Sequence, residues 1–197
     1  ETIDELLGRL RKAVKETGLE NDYTWVIVSD HGFRPISKLF HPNAALNSLG
    51  YLNLNIRGEL EDWRIWARTS GGSFALTARN PDDTEAIAAA TAFFQHLAGD
   101  PRFGIEKLYN REDLARLGGF PGAFLAGTMA TGFAAGGGRQ GSYVTPSSGT
   151  KGTHGYTPEA PDMKASLLLS GQAARACGAG QLEGARLLAM APTLARP

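Results

Sequence analysis

Hydrophobic positions in residues 3 to 17 fall on one face at helical spacing, with Ile3, Leu6, Leu7, Leu10 and Val14 aligned. This predicts an amphipathic helix, and Gly18 is a natural stop for it. After the polar turn Glu20-Asn21-Asp22 the pattern changes to TWVIVSD, an unbroken apolar, β-branched run. Such a run reads as a strand buried on both faces, as in parallel sheets covered by helices. Helix, turn and buried strand together make a piece of an α/β layered fold.

From about His41 the texture differs. Asn43 to Ser48 reads as a short helix ended by Gly50, and WRIWART and SFALTAR as two strands joined by a turn at Ser70-Gly71-Gly72. Pro81 and Asp82 open an alanine-rich helix to about Leu97 that buries Ile87, Ala90, Phe94 and Leu97. A strand near Ile105 to Tyr109 and a helix from Arg111 to Leu117 follow. Within the glycine-rich residues 118 to 150, AFLAGTMATGFAA reads as a bulged strand or hairpin, and Gly136 to Gly138 as a turn. ASLLLSG, residues 165 to 171, is again a core strand, and ARLLAMAPTLA a closing helix whose start Pro192 marks. The expected organisation is core, insertion, core. Residues 1–40 form the first part of an α/β core, 41–150 an inserted α+β cap lobe, and 151–197 the second part of the core.

Composition narrows the function classes. Lysine plus arginine equals aspartate plus glutamate, 20 against 20, so bulk charge supplies no nucleic-acid surface. The lone Cys177 cannot form an internal disulfide and says nothing about compartment. No apolar run approaches the roughly 18 residues of a membrane span. The chain opens with charged, helix-patterned residues rather than a signal peptide.

The candidate chemistry lies in two islands. Asp30-His31-Gly32 stands at the end of the most apolar strand, where open α/β sheets gather their ligands. Aspartate oxygen and histidine nitrogen both suit zinc. Neighbours in a continuing strand point to opposite faces, so both reach one ion only if the strand ends by Asp30. Gly32 permits such a break, because it lets the backbone pass where a β-carbon would clash. An aspartate capping a turn beside a loop histidine fits the same residues, since one pair supplies only two ligands. The second island is Gly152-Thr153-His154-Gly155-Tyr156, a histidine among glycines that suits a tight metal or phosphate site or an ordinary loop.

Together the islands resemble a known family. VIVSDHGF is similar to the SDHG metal motif of the alkaline phosphatase superfamily, and GTHGYTPEAPDM to the G-x-HGY…P-x-M segment of its nucleotide pyrophosphatase/type I phosphodiesterase branch. The resemblance implies part of an alkaline-phosphatase-like layered core carrying an inserted cap lobe. It implies two zinc ions, with another divalent metal as the alternative. Asp30 and His31 would bind one ion and His154 the other. It implies hydrolysis of a small phosphodiester or nucleotide-like substrate by a Thr or Ser nucleophile. That nucleophile and the remaining ligands belong, in the family, to an N-terminal half lying before residue 1, so no catalytic residue is assigned within these 197. Ser29 falls where the family packs its core.

Two other readings stay open. One is a sister activity on the same core, such as a phosphomonoesterase, phosphonate hydrolase or mutase; the other is a non-catalytic module that kept the fold. A sulfatase would need a nucleophile motif that the RACGAG around Cys177 does not supply. Other polar and aromatic positions read as structural. His41 is a surface or packing residue and His96 a helix-surface one. Trp63 and Trp66 form lobe core or an aromatic face for a nucleobase. GGGRQG, with Arg139, is a hairpin tip or an anion cradle. Lys151 and Lys164 are solvated, and Tyr156 and Met163 pack the loop.

Overall fold

A computed structural model describes residues 2–19, 22–171, 174, 180–181 and 184–195; Cys177 lies outside them. In chain order the described elements are helix α1 (Thr2–Glu16), strands β1 (Thr24–Val28) and β2 (Arg34–Phe40), helix α2 (Pro42–Ser48), strands β3 (Leu52–Leu54), β4 (Leu60–Trp63), β5 (Ile65–Ser70) and β6 (Ser73–Ala78), helix α3 (Thr84–Ala98), strand β7 (Ile105–Asn110), helix α4 (Arg111–Leu117), strands β8 (Leu125–Met129), β9 (Gly132–Ala135), β10 (Val144–Pro146), β11 (Gly152–Thr153) and β12 (Leu167–Gly171), and helix α5 (Leu187–Leu194). Two compact units result: Glu1–His31 with Ala165–Pro197, and Gly32–Lys164. The larger unit thus takes in β2 and the segment from Gly152 to Lys164, which were expected with the core strands. It does so because β2 pairs with β11 and the backbone of Gly32 and Phe33 bonds to that of Asp162 and Met163.

In the smaller unit α1 follows its predicted stripe. Asp4 and Glu5 lie in its first turn and Lys15 in its last, complementing the helix dipole. None of its residues is buried: Ile3, Leu6 and Leu10 all face solvent. β1 forms where the apolar run predicts it, but pairs antiparallel with β12 in a two-stranded sheet. Val28, Leu168 and Leu169 are exposed, so neither strand is buried on both faces as expected. An apolar run specifies a strand, while its burial depends on neighbours that pattern alone does not name. Pro192 lies inside α5 rather than at its start.

The larger unit holds the hydrophobic core. β5 and β6 form the predicted hairpin, with Gly71 at positive φ in its turn. The sheet order β5-β6-β8-β7 is antiparallel throughout. Helix α3 buries Ala86, Ala90, Phe94 and Leu97 at helical spacing, while Ile87 is only partly buried. Its N-cap Asp83 accepts the Ala86 N–H and receives a two-pronged bond from Arg64. A capping box of Asn110 and Asp113 starts α4. Phe40, Phe74 and Phe94 are fully buried and mutually in contact, with ring centroids 5.5–6.3 Å apart. Each such ring contributes roughly 2–3 kcal/mol by burial.

The stretch read as one bulged strand or hairpin divides between two sheets. β8 joins β6 and β7, whereas β9 runs parallel to β2. β2 also pairs antiparallel with β10 and β11. It is therefore the strand against which residues 132–153 are assembled.

Candidate functional site

β1 ends at Val28, and the next residue turns its side chain back onto the backbone. Ser29 Oγ accepts the Ser166 N–H at 2.8 Å, so its hydroxyl serves the β1–β12 pairing, in keeping with a packing role. Beyond it the backbone leaves strand geometry and the side chains of Asp30 and His31 meet instead of diverging. His31 Nε2 lies 3.3 Å from Asp30 Oδ2, and the His31 N–H donates to Asp30 Oδ1 at 3.0 Å. Two ligands on a tetrahedral ion at about 2.0–2.2 Å are themselves about 3.3–3.6 Å apart. The carboxylate and imidazole stand at a separation that two ligands of one cation and a direct ion pair share, and the Asp30 side chain is 85% exposed.

Gly32 follows at once, and the structure gives the reason for it. A β-carbon there would collide with the backbone carbonyl of Asp162. The Gly32 N–H donates to Met163 O at 3.0 Å, and the Phe33 N–H to Asp162 O at 3.1 Å. Residues 32–33 are thus stitched to the P-D-M end of the second motif.

Arg34 extends the stitch. Its side chain is nearly buried and forks onto Asp162, with Nε and Nη2 each 2.7 Å from a carboxylate oxygen. The bond holds the Asp162 carboxyl below the usual carboxylate range and raises the Arg34 guanidinium. The same guanidinium lies over the Tyr156 ring, 4.5 Å from its centroid. Burial in turn pushes the Tyr156 hydroxyl up, and that hydroxyl donates to Phe133 O at 2.6 Å. Charge at position 34 carried no signal in the sequence, because its partner lies 128 positions away.

His154 projects from this framework. It follows β11, whose Thr153 pairs with Arg34. Its carbonyl accepts the Gly72 N–H at 2.7 Å, and its side chain is exposed. Gly155 has φ +83°, a conformation that favours glycine, and a β-carbon there would strike the Ser70 carbonyl. Gly72 is equally constrained, since a β-carbon would enter the Tyr156 ring. The hairpin turn at Ser70–Gly72 is therefore the seat of the His-Gly-Tyr turn. Tyr156 and Met163 are buried, as packing residues of this loop should be, while Lys151 and Lys164 are exposed.

Of the three predicted ligands, the structure brings Asp30 and His31 together in the smaller unit; His154 belongs to the larger. Among the described residues, no group of three or more His, Cys, Asp or Glu is placed to hold a metal ion. The remaining candidates resolve as structure. His96 is on the exposed face of α3. His41 is buried: its Nδ1 accepts the Gly138 N–H at 3.0 Å and its Nε2 faces Thr145 Oγ1 at 2.9 Å. The Gly136 N–H donates to Phe40 O, so the GGGRQG segment spends two of its donors within the fold rather than on an anion. Trp63 and Trp66 lie on different strands and pack against the core, beneath Arg79 and Arg139 respectively. An open hollow of about 540 Å³ beside Thr157 is lined by Glu106, Asp113 and Glu159 against Lys107 and Arg116, a balance unsuited to phosphate. No described helix is long and apolar enough to cross a membrane.

Comparison with known proteins agrees with the motif reading. A family profile described as type I phosphodiesterase / nucleotide pyrophosphatase matches residues 1–157. Human ectonucleotide pyrophosphatase/phosphodiesterase 5 superposes with a TM-score of 0.59 at 19% identity, over 86% of this chain and 39% of that one. The murine protein of the same name gives 0.57 at 19% identity, over 87% and 40%. An inactive variant of the murine protein in complex with AMP gives 0.56 at 19%, over 86% and 39%. At this identity the likeness is one of fold, and the chain spans about two fifths of the length of these structures. No curated protein matches the chain in sequence. The α/β class of alkaline-phosphatase-like kind expected from the motifs is borne out.

Proposed function

The chain belongs to the type I phosphodiesterase / nucleotide pyrophosphatase family, and on that premise we propose that it is the metal-ligand-bearing later portion of a zinc-dependent hydrolase of phosphodiester or pyrophosphate bonds. The observation that carries this reading is the Asp30–His31 pair, 3.3 Å apart just past the end of β1, within a chain matched by the family over residues 1–157. Asp30 and His31 would hold one divalent ion and His154 a second. A bound metal pair would lower the pKa of an attacking hydroxyl and offset charge on the phosphoryl oxygens.

This chain's own residues bind and orient. Asp30 keeps a carboxylate beside the His31 ring, neutralising part of a cation's charge, while the glycines around His154 let its backbone seat against the hairpin turn. Residues 41–150 would act as a cap lobe that selects a small nucleotide-like substrate. The attacking Thr or Ser and the remaining ligands would come from an N-terminal half of the same protein. Two observations support that arrangement. The chain spans about two fifths of the length of the structures it resembles, and the apolar residues Ile3, Leu6, Leu10, Val28 and Leu168 face solvent in the smaller unit.

The test uses the full-length protein. Asp30→Ala and His154→Ala should each lose zinc, measured by atomic absorption, and abolish hydrolysis of a chromogenic phosphodiester. His96→Ala, on an exposed helix face, should leave both unchanged. Near-normal turnover in either ligand variant would sink the assignment.

A further inference from the structure

The joint between the two motifs assigns a role to a residue outside both. We propose that Arg34 is a positioning residue for His154, acting through Asp162 and Tyr156; the inference rests on reading His154 as a metal ligand. His154 sits between two fixed points. On its N-terminal side Thr153 is registered with Arg34 across β11 and β2. On its C-terminal side Tyr156 is clamped on three sides: the Arg34 guanidinium over its ring at 4.5 Å, Gly72 against the ring, and the Phe133 carbonyl on its hydroxyl at 2.6 Å. Arg34 thus touches both ends of the turn that presents the imidazole.

A lysine would not do the same. The Arg34–Asp162 contact uses two donors of one rigid plane, and that plane also stacks on the tyrosine. An ammonium keeps the charge but loses both the fork and the stacking. Asp162 completes the arrangement by pairing a nearly buried guanidinium, which would otherwise be an uncompensated charge within the fold. Its backbone carbonyl accepts the Phe33 N–H as well, so one residue joins the strand entry to the loop that follows His154. Groups that orient metal-binding histidines commonly account for a 10–100-fold change in metal affinity.

The experiment measures zinc affinity of the full-length protein by competition with a fluorescent chelator, without reference to turnover. Wild type, Arg34→Lys, His154→Ala and the double variant form a cycle. Arg34→Lys should weaken one zinc about 10–100-fold, and should cause no further loss in the His154→Ala background. An equal loss in both backgrounds would mean that Arg34 acts elsewhere and would overturn the proposal, as would wild-type affinity in Arg34→Lys. If His154→Ala itself binds zinc normally, the ligand assignment has failed rather than the positioning role built on it. Should Arg34→Lys not fold, Asp162→Asn, which removes one of the two acceptors of the Arg34 fork, takes its place in the cycle. Weaker zinc binding confined to the background that keeps His154 would then support the proposal, and wild-type affinity or an equal loss in both would overturn it.

Discussion

His41 Nδ1 accepts the backbone N–H of Gly138 at 3.0 Å, which leaves the ring proton on Nε2 to meet Thr145 Oγ1. A protonated imidazole has no acceptor, so charging the ring breaks the bond to the loop. Burial holds the His41 pKa below its ordinary value, opposed by the nearby Gly136 carbonyl. The unfolded chain therefore takes up a proton at higher pH than the folded one. The stability this neutral ring contributes is fully present above the ordinary histidine value of about 6.5 and is lost as pH falls from there through the depressed folded value. Urea midpoints of wild type minus His41→Asn, measured from pH 8 to 5, should fall over that window. A constant difference would show that the ring is not the titrating group.

Asn43 closes the edge of β5 that faces away from β6 in the larger unit. Its side chain accepts the Ala67 N–H at 2.9 Å and donates to the Ala67 carbonyl at 2.8 Å, and the residue is buried. Replacement by leucine should cost about 2–4 kcal/mol, because two buried backbone groups lose their partners. Denaturant unfolding reads this directly, and a loss under 1 kcal/mol would contradict the pairing.

Gly155→Ala combines a β-carbon at φ +83° with a collision against the Ser70 carbonyl. The expected loss is about 2–4 kcal/mol from left-handed strain and overpacking together. Gly149, with open space around its α-carbon and no positive φ, is the control. Gly149→Ala should be neutral or slightly stabilising. Similar melting temperatures for the two variants would argue against the seating of the His-Gly-Tyr turn.

Purified alone with added zinc, the 197-residue chain should hydrolyse a chromogenic phosphodiester no faster than buffer, because on the proposed reading the nucleophile is none of these residues. Turnover per mole comparable to the full-length protein would place a complete site within these residues.

What the sequence disclosed and what it withheld follow from the range of the interactions involved. α1, α3 and the β5–β6 hairpin were legible because periodicity, caps and a Gly-Gly turn are local. The break after β1 was legible for a similar reason, since Gly32 reports a close approach without naming what approaches. Its neighbour proved to be Asp162. The separation of β8 from β9 was not legible, because ATG between two apolar runs suits a hairpin as well as a change of sheet. Nor were the buried Arg34 and Asn43, whose polarity argues for the surface until their distant partners are known. Exposure of β1 and β12 escaped prediction because an apolar run records the surroundings a strand was selected for, not how many neighbours it has.

β2 takes every pairing described for it from residues 132–153, so the ninety-odd residues between it and β9 form one closed excursion. For a flexible chain the entropy of closing such an excursion grows only logarithmically, by about 0.6 kcal/mol for each doubling of its length. The seam at Arg34 and Asp162 is therefore almost indifferent to how much chain it encloses, provided that the enclosed part packs a core, as Phe74 and Phe94 do here. The enclosed lobe could therefore be lengthened, shortened or resurfaced at little cost to the pairing of β2 with the segment that carries His154. A seam of this kind separates the folding of the lobe from the pairing that closes it.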